Sequence, residues 1–564
     1  MGSIETPNTL EAPQRFTFAH DHLGDLTGWL RNGDKVQFRG VPYASIPGRF
    51  RQSVLSTKLP SQPSVATNPG PACPQPNQPY FKYWEAPLPV NLPVLTPTTF
   101  DEFGCLNLSI TVPKGALDGS RGPVPILVFF HGGAFVNGSH SIQLSGREVF
   151  DGAGLVEHSM ALGKEIMVVS INYRLGPLGF LASSQIAEFN QKHGEAIGNF
   201  GLHDQRRALE WIARFAPGFG GDAERITIQG TSAGAASCHY QAMFPDRKFQ
   251  RAILASGTAT TIPARDLHYH QKIFDRLVAK AIDDAPQEKI LDALLECDSK
   301  QLTHTVPWVV CQPLLDEVYI RKDMLLASSF NDDGLDLMLG VTTFEEDIAA
   351  LFFYDLSTGK LKSDEEMIEE VEKHLVHNYA MMKADSKIDR LGHLFDQYEL
   401  QDKIARPSDY IDEFGHLLGN SLFDVTALYV SLSRQRTSPA GRVWFYMYDL
   451  ANKYPGNSSY GKAHHGVNDL FVFNVARDMI PTKDRASWDA GVVQTQRSWI
   501  LFVNGEDPWS PLRANVSIDQ VPSFGPVFLF ADHGTSRELG TLKEAIGTKQ
   551  TQQYDAILQC SHLR

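Results

Sequence analysis

The chain runs to 564 residues, 42% hydrophobic and 21% charged, and its 51 basic and 65 acidic residues leave a formal charge of −14. This is an ordinary globular composition, longer than the ~250–300 residues at which one core stops growing without insertions, and an acidic balance with no basic cluster argues against a nucleic-acid partner. The six cysteines, at 73, 105, 238, 297, 311 and 560, are too scattered for a disulfide scaffold, and no CxxC pair or His/Cys cluster has zinc spacing, so no metal site is expected.

The N-terminus, MGSIETPNTLEAPQRF, is polar and carries no apolar run of a secretory signal or anchor. Residues 1–20 read as a flexible tail. MGSIET fits the loose N-myristoylation pattern, but no basic cluster follows it, and one acyl chain binds membranes only marginally. The Pro-rich stretch from Pro60 to Pro97 reads as irregular surface loop or lid. Then come short apolar runs that each stop at Gly or at a turn: PVPILVFF (123–130), IMVVSINY (166–173), ITIQG (226–230), AILAS (252–256) and LDLMLGV (335–341). Between them lie segments of helical spacing such as DQRRALEWIARF (204–215). Apolar strands alternating with helices predict an α/β fold, a mostly parallel sheet covered on both faces, with ligands at the carboxyl ends of the strands. Segments 265–300 and 364–400 are charged and helical in pattern, and read as helical insertions over the sheet. Residues 1–564 are therefore expected to form one elaborated domain. No apolar run approaches the ~20 residues that span a bilayer. A cytoplasmic location is the expectation, although a mature chain trimmed of its signal would look the same. Four sequons, at Asn107, Asn137, Asn457 and Asn515, occur at about the frequency chance supplies and carry little weight.

The strongest local signal is ITIQGTSAGAASCH (226–239), in which Gly230-Thr231-Ser232-Ala233-Gly234 follows a strand and opens a small-residue helix. Strand, sharp turn and helix form the arrangement of a nucleophile elbow. Flanking glycines remove the Cβ atoms that would clash there, and the helix amino end points free N–H groups at developing negative charge. HGGAF (131–135), directly after a strand, supplies small residues whose N–H groups suit a second part of an oxyanion hole. A serine needs a base oriented by a buried carboxylate, and in this fold class the acid and then the His follow the Ser. Either His464 or His465, in SYGKAHHGVNDLFVF (459–473), serves from the residues alone, in a Gly-rich loop before a strand-like run. His203 reads as packing between helix and sheet. The triplet Glu345-Glu346-Asp347, in GVTTFEEDIAALFF (340–353), falls in the right order for the acid, and taken alone is as well read as a solvated helix cap.

With these residues in view the chain resembles the type-B carboxylesterase/lipase family, which includes the cholinesterases and has the α/β-hydrolase fold. The likeness begins with FRGVPYA (38–44), RF (49–50), ACPQ around Cys73 and CLNLSITVP from Cys105. It is densest through HGGAF, INYRLGPLGFLA (171–182), GNFGLHDQRRALEWI (198–212), FGGD (219–222), ITIQGTSAGA and FQRAILASG (249–257). PLLDEVYI (313–320), GVTTFEE and HHGVNDLFVF match more weakly.

The resemblance implies Ser232 as nucleophile, Gly133, Ala134 and Ala233 as oxyanion N–H donors with Gly132 beside them, and Glu345 as the acid, Glu346 being the fallback. It selects His465 over His464, because Gly466 follows and Phe473 lies eight positions on. Ser256 falls on the second serine near the triad, and with Gly132 would touch substrate. Cys73 and Cys105 match a disulfide pair worth about 3–4 kcal/mol in the chain-entropy model, which a cytosolic location would oppose. Phe81, Tyr83 and Trp84 would line the gorge entrance. The chain departs from the family in Glu346, where Gly is usual, which implies an outward-pointing side chain. It departs also in Phe103-Gly104, which puts a structural ion pair in doubt, and in Asn468, where an acid is usual. The tryptophan context of a choline site is missing.

The activity so implied is hydrolysis of small-molecule carboxylic esters through an acyl-enzyme, without metal or organic cofactor. The alternatives are the same fold turned to acyl transfer, lactone formation or dehydration, and a non-catalytic binding protein of the kind that loses the nucleophile. Acyl and alcohol identity and oligomeric state are not legible.

Overall fold

The structure is a computed structural model and describes residues 14–76, 98–144, 147–244, 246–282, 286–305, 312–321, 334–355, 360–377, 387–437, 440–475, 477–513 and 518–560. A thirteen-stranded sheet organises them. Its main strands are β1 (Gln14–His20), β2 (Gly24–Arg31), β3 (Lys35–Pro42), β4 (Asn107–Pro113), β5 (Val124–Phe130) and β6 (Met167–Ile171). They continue with β7 (Gly221–Thr231), β8 (Arg251–Ala255), β9 (Asp336–Thr342), β10 (Val443–Tyr448), β11 (Val527–Phe530) and β12 (Arg537–Leu539). The spatial order is β1-β2-β3-β4-β6-β5-β7-β8-β9-β10-β11-β12, with Ser64–Val65 paired to β2. From β6 to β11 every neighbour is parallel, whereas β1 to β4 form an antiparallel meander and β12 an antiparallel edge.

The parallel strands read as continuous apolar runs because both faces are covered. All seven residues of Val124–Phe130 and of Asp336–Thr342 are buried. On one face Ile126, Val128, Ile226, Ile228 and Leu254 join the larger core; on the other Leu127, Phe129, Ile253, Met338 and Trp444 join a smaller, aromatic one. The helices used below are α1 (Phe200–Phe215), α2 (Ala233–Met243), α3 (Glu346–Ala350), α4 (Ile411–Gly419), α5 (Val425–Thr437), α6 (Val467–Phe473), α7 (Thr482–Val503) and α8 (Leu542–Cys560). Residues 265–300 and 364–400 do form helices, at Leu267–Ala281, Ile290–Glu296, Asp364–His377 and Lys387–Gln397.

Three expectations need correcting. Residues 14–20 are no tail: Gln14–His20 pairs in full register with Gly24–Leu30. The run after His465 is helix rather than strand, because all seven residues of Val467–Phe473 are buried and a fully buried segment shows no amphipathic period. The ion pair doubted at Phe103-Gly104 exists one residue earlier. Glu102 takes Arg49 in a two-pronged contact of 2.7 and 2.6 Å, while Arg49 also donates to the carbonyls of Leu294 and Cys297. Cys73 and Cys105 are separate buried thiols: Cys105 Sγ donates to Glu102 O at 3.4 Å, and Cys73 Sγ accepts the Leu175 N–H at 3.3 Å. Asn107, Asn137 and Asn457 are buried, which removes three of the four sequons as attachment points; Asn515 lies outside the described residues, as do MGSIET, Phe81, Tyr83 and Trp84. No helix among the described residues is long and apolar enough to cross a membrane.

The turn after β6 is locked by Arg174, whose guanidinium meets Asp204 of α1 at 2.7 and 2.8 Å with both side chains buried. Removing one partner of such a pair leaves a charge without compensation. Asp204→Asn is expected to lower unfolding free energy by about 3–5 kcal/mol, read from the denaturant midpoint at constant slope.

Candidate active site

Strand β7 ends at Thr231, helix α2 begins at Ala233, and Ser232 between them holds φ +60° and ψ −124°. A non-Gly residue stays in that region only where its surroundings over-determine it. Here they do: a Cβ on Gly230 would stand 2.2 Å from the Gly234 carbonyl carbon, and one on Gly234 would stand 2.1 Å from Phe130 O. The Ser232 N–H donates to Ala255 O at 2.9 Å, which ties the turn to the end of β8.

The loop after β5 lies against this turn, since a Cβ on Gly132 would come within 2.7 Å of Thr231 O. Gly133, Ala134 and Phe135 take positive φ of 108°, 54° and 62°, and Gly133 O accepts from the N–H groups of Val136 and Asn137. Tyr173 donates to His131 O at 2.8 Å and stacks on the His131 ring, which anchors the loop from below. Among the described residues, no acceptor is bonded to the N–H of Gly133, Ala134 or Ala233. Their N–H groups are available for an oxyanion.

Glu345 lies just beyond β9 and is 3% exposed. Its Oε2 is 2.5 Å from His465 Nδ1, and its Oε1 accepts the Thr342 N–H at 3.0 Å. Burial pushes the Glu345 carboxyl up, yet the attraction and hydrogen bond of His465, with Ser256 and Thr342, outweigh it and hold the group below its ordinary range. For His465 burial pushes down and Glu345 more than compensates, aided by Asp347 and Asp469, so the imidazole is held above 6.5. Its Nε2 is buried without a hydrogen-bond partner among the described residues, and the Ser232 hydroxyl makes no bond to it here. Catalytic hydrogen bonds of this kind commonly tighten only when substrate binds.

The neighbouring candidates are taken up elsewhere. Glu346 leans outward toward His416, 3.7 Å away. Asp347 accepts from Ser459 at 2.9 Å, and burial pushes it up to about 6. His464 is bonded to Asn452 and to the His465 carbonyl, and burial lowers it to about 4, so it stays a neutral structural ring. His203 sits beside Gln52, lowered by burial to about 3, in the packing role expected of it. Ser256, with φ +47°, is buried and contributes to the Glu345 site.

One residue escaped sequence reasoning. Asp469 accepts from the Thr231 hydroxyl at 2.8 Å and from Asn468 at 3.0 Å, and burial pushes it up to about 7. The acid missing at Asn468 thus arrives one position later, on helix α6, and braces the residue preceding Ser232. Treating the run as strand hid it, because strand alternation does not say which of two adjacent residues faces the elbow. No group of three His, Cys, Asp or Glu among the described residues has metal-binding geometry.

Comparison with known proteins agrees on the frame. A family model described as the carboxylesterase family matches residues 20–533. The chain is 26% identical to Lipase 3 of Yarrowia lipolytica over 493 residues, covering 85% of this chain and 86% of that one. Against the para-nitrobenzyl esterase of Bacillus subtilis it is 28% identical over 509 residues, covering 86% and 89%. A solved PNB esterase matches with a TM-score of 0.67 at 22% identity, over 95% of this chain and 99% of that one, which is a likeness of fold.

Because Glu345 is what lifts His465 against burial, Glu345→Gln should leave burial dominant. Titration of the His465 ring by NMR is expected to give a midpoint above 6.5 in the native protein and below 6.5 in the variant. A variant midpoint unchanged from the native one would contradict this balance.

Proposed function

The chain belongs to the carboxylesterase family and is a carboxylic ester hydrolase, and from that premise we propose that it is a serine esterase working through Ser232, His465 and Glu345. The observation that carries the reading is the Glu345–His465 contact of 2.5 Å on Nδ1, with Nε2 left unpartnered. An imidazole so held presents a lone pair at Nε2 and is stabilised when it becomes imidazolium.

In the proposed cycle Ser232 Oγ attacks the ester carbonyl as Nε2 takes its proton. The tetrahedral oxyanion is met by the N–H groups of Gly133, Ala134 and Ala233, and Gly132 and Ser256 shape the floor beside it. Collapse expels the alcohol, which receives the proton back from Nε2, and leaves Ser232 acylated. Water, deprotonated by Nε2, then attacks the acyl carbonyl, and the acid departs as Ser232 regains its proton. Residues 1–564 act in this reading as one catalytic domain on small-molecule esters. Backbone strain at Ser232 supports it, since φ +60° lifts the hydroxyl out of the strand and toward the helix amino end.

Removing the nucleophile should cost far more than perturbing the acid. With p-nitrophenyl esters, Ser232→Ala is expected to lower kcat by about 10⁶-fold and Glu345→Gln by roughly 10⁴-fold. A fluorophosphonate probe should label the native protein at Ser232 alone. Turnover near the native rate in Ser232→Ala, or no labelling, would sink the mechanism.

A further inference from the structure

Helices α4 and α5 are joined by a π turn over Asn420–Asp424. Such turns are rare and concentrate at functional sites, because the added residue rotates everything after it. Helix α4 lies directly on the backbone that carries the acid. A Cβ on Gly415 would come within 3.0 Å of Glu346 O, and one on Gly419 within 3.1 Å of the Glu345 carbonyl carbon. One turn further on, Phe423 places its ring 4.6 Å from the His465 ring. Gly415, Gly419 and Phe423 thus form one row along the helix that supports acid and base together.

Asp424 follows immediately and is buried. Its Oδ1 accepts from the Tyr554 hydroxyl of α8 at 2.5 Å, and that hydroxyl in turn accepts from Gln550 at 3.0 Å. The Gln550 amide fills an acceptor site on the tyrosine oxygen, so the phenolic proton points at Asp424. The titratable groups that bear on Asp424 are Glu345 and Glu346 from the β9–α3 corner and Tyr554 from α8; on its own helix His416 is engaged by Glu346, while Tyr398 bonds Asn420 at 2.9 Å.

We propose that Asp424, clasped by Tyr554, is a positioning residue that fixes the π turn, lays Phe423 on the His465 imidazole and so couples the C-terminal helix to the catalytic pair. In this role Asp424 acts through His465 rather than on substrate, and so depends on the triad reading above. Burial, then the nearby Glu345, push its carboxyl well above the usual carboxylate range. Phe423 keeps water from one face of the imidazole, and a desolvated imidazole holds its proton less readily.

The test is steady-state kinetics on a p-nitrophenyl ester across pH, with melting temperature and far-UV circular dichroism recorded for each variant. Tyr554→Phe and Asp424→Ala are expected to lower kcat by roughly 10–100-fold with KM within about twofold, as a displaced base does. The acid limb of kcat/KM should move to higher pH in both, because the uncovered imidazole is rehydrated. Asp424→Asn, a neutral acceptor of the same shape, should bring kcat back to within about threefold of native. Should Asp424→Ala fail to fold, Tyr554→Phe decides, since it removes one oxygen atom. A folded Tyr554→Phe with native kcat and a native acid limb overturns the proposal, as does an Asp424→Asn no better than Asp424→Ala. Ser232→Ala, run alongside, separates the two levels: if it still turns over ester, the triad itself is wrong.

Discussion

A carboxylate taken out of water costs several kcal/mol unless its surroundings restore what hydration supplied. Glu345, 3% exposed, meets that cost with two hydrogen-bonded partners: the imidazole of His465 and the backbone N–H of Thr342. Charge-assisted hydrogen bonds contribute roughly 1.5–3 kcal/mol each, so the set is of the size needed. Much of the surrounding architecture follows from keeping that one charge in place. Strand β9 delivers Thr342 and Glu345 to the same point, the glycines of α4 let the helix close on the Glu345 backbone, and Asp347 and Asp424 are both pushed toward their neutral forms by burial. Through Nδ1 the same charge distinguishes the two ring nitrogens of His465, so that Nε2 is the one left free.

The second constraint is steric. Three chain segments, β5, β7 and the start of α2, meet so closely at Ser232 that Gly230 and Gly234 have no room for a side chain. The crowding holds Ser232 at a positive φ and brings the Gly132–Ala134 loop against it. In the proposed mechanism this contact brings oxyanion donors from two separate loops together, which neither loop does alone. Asp469 adds a polar brace behind the elbow by taking the Thr231 hydroxyl.

How much of this was legible varies with the range of the interaction. The central strands were readable because a fully buried strand is a local apolar run ended by Gly, and the boundaries moved by only a residue or two except at β7, which begins at Gly221 rather than Ile226. The N-terminal strands were not. Arg15, Thr17 and Thr27 face outward on an antiparallel edge, and their polar alternation looks like a tail until its pairing is seen. Helix α6 defeated periodicity for the opposite reason, since a segment buried on every side carries no face. The ion pair at Arg49 was misjudged because it depends on where Glu102 lies in space, and a shift of one residue along a loop leaves the contact intact.

The sequence by itself determined which serine is proposed as nucleophile, which loop is proposed to partner it and the proposed order of acid and base, since each is written in contiguous residues whose small side chains and turn chemistry act locally. It narrowed the acid to a triplet and the base to a pair. The family resemblance already favoured Glu345 and His465, and the tertiary structure shows that these two side chains meet, whereas adjacent residues share a composition and differ in direction. Glu345 and His465 lie 120 positions apart and meet at 2.5 Å. Neighbours one or two residues away are turned to His416, to Ser459 and to Asn452. Direction, and with it the desolvation that sets each group's charge, is a property of the packed fold.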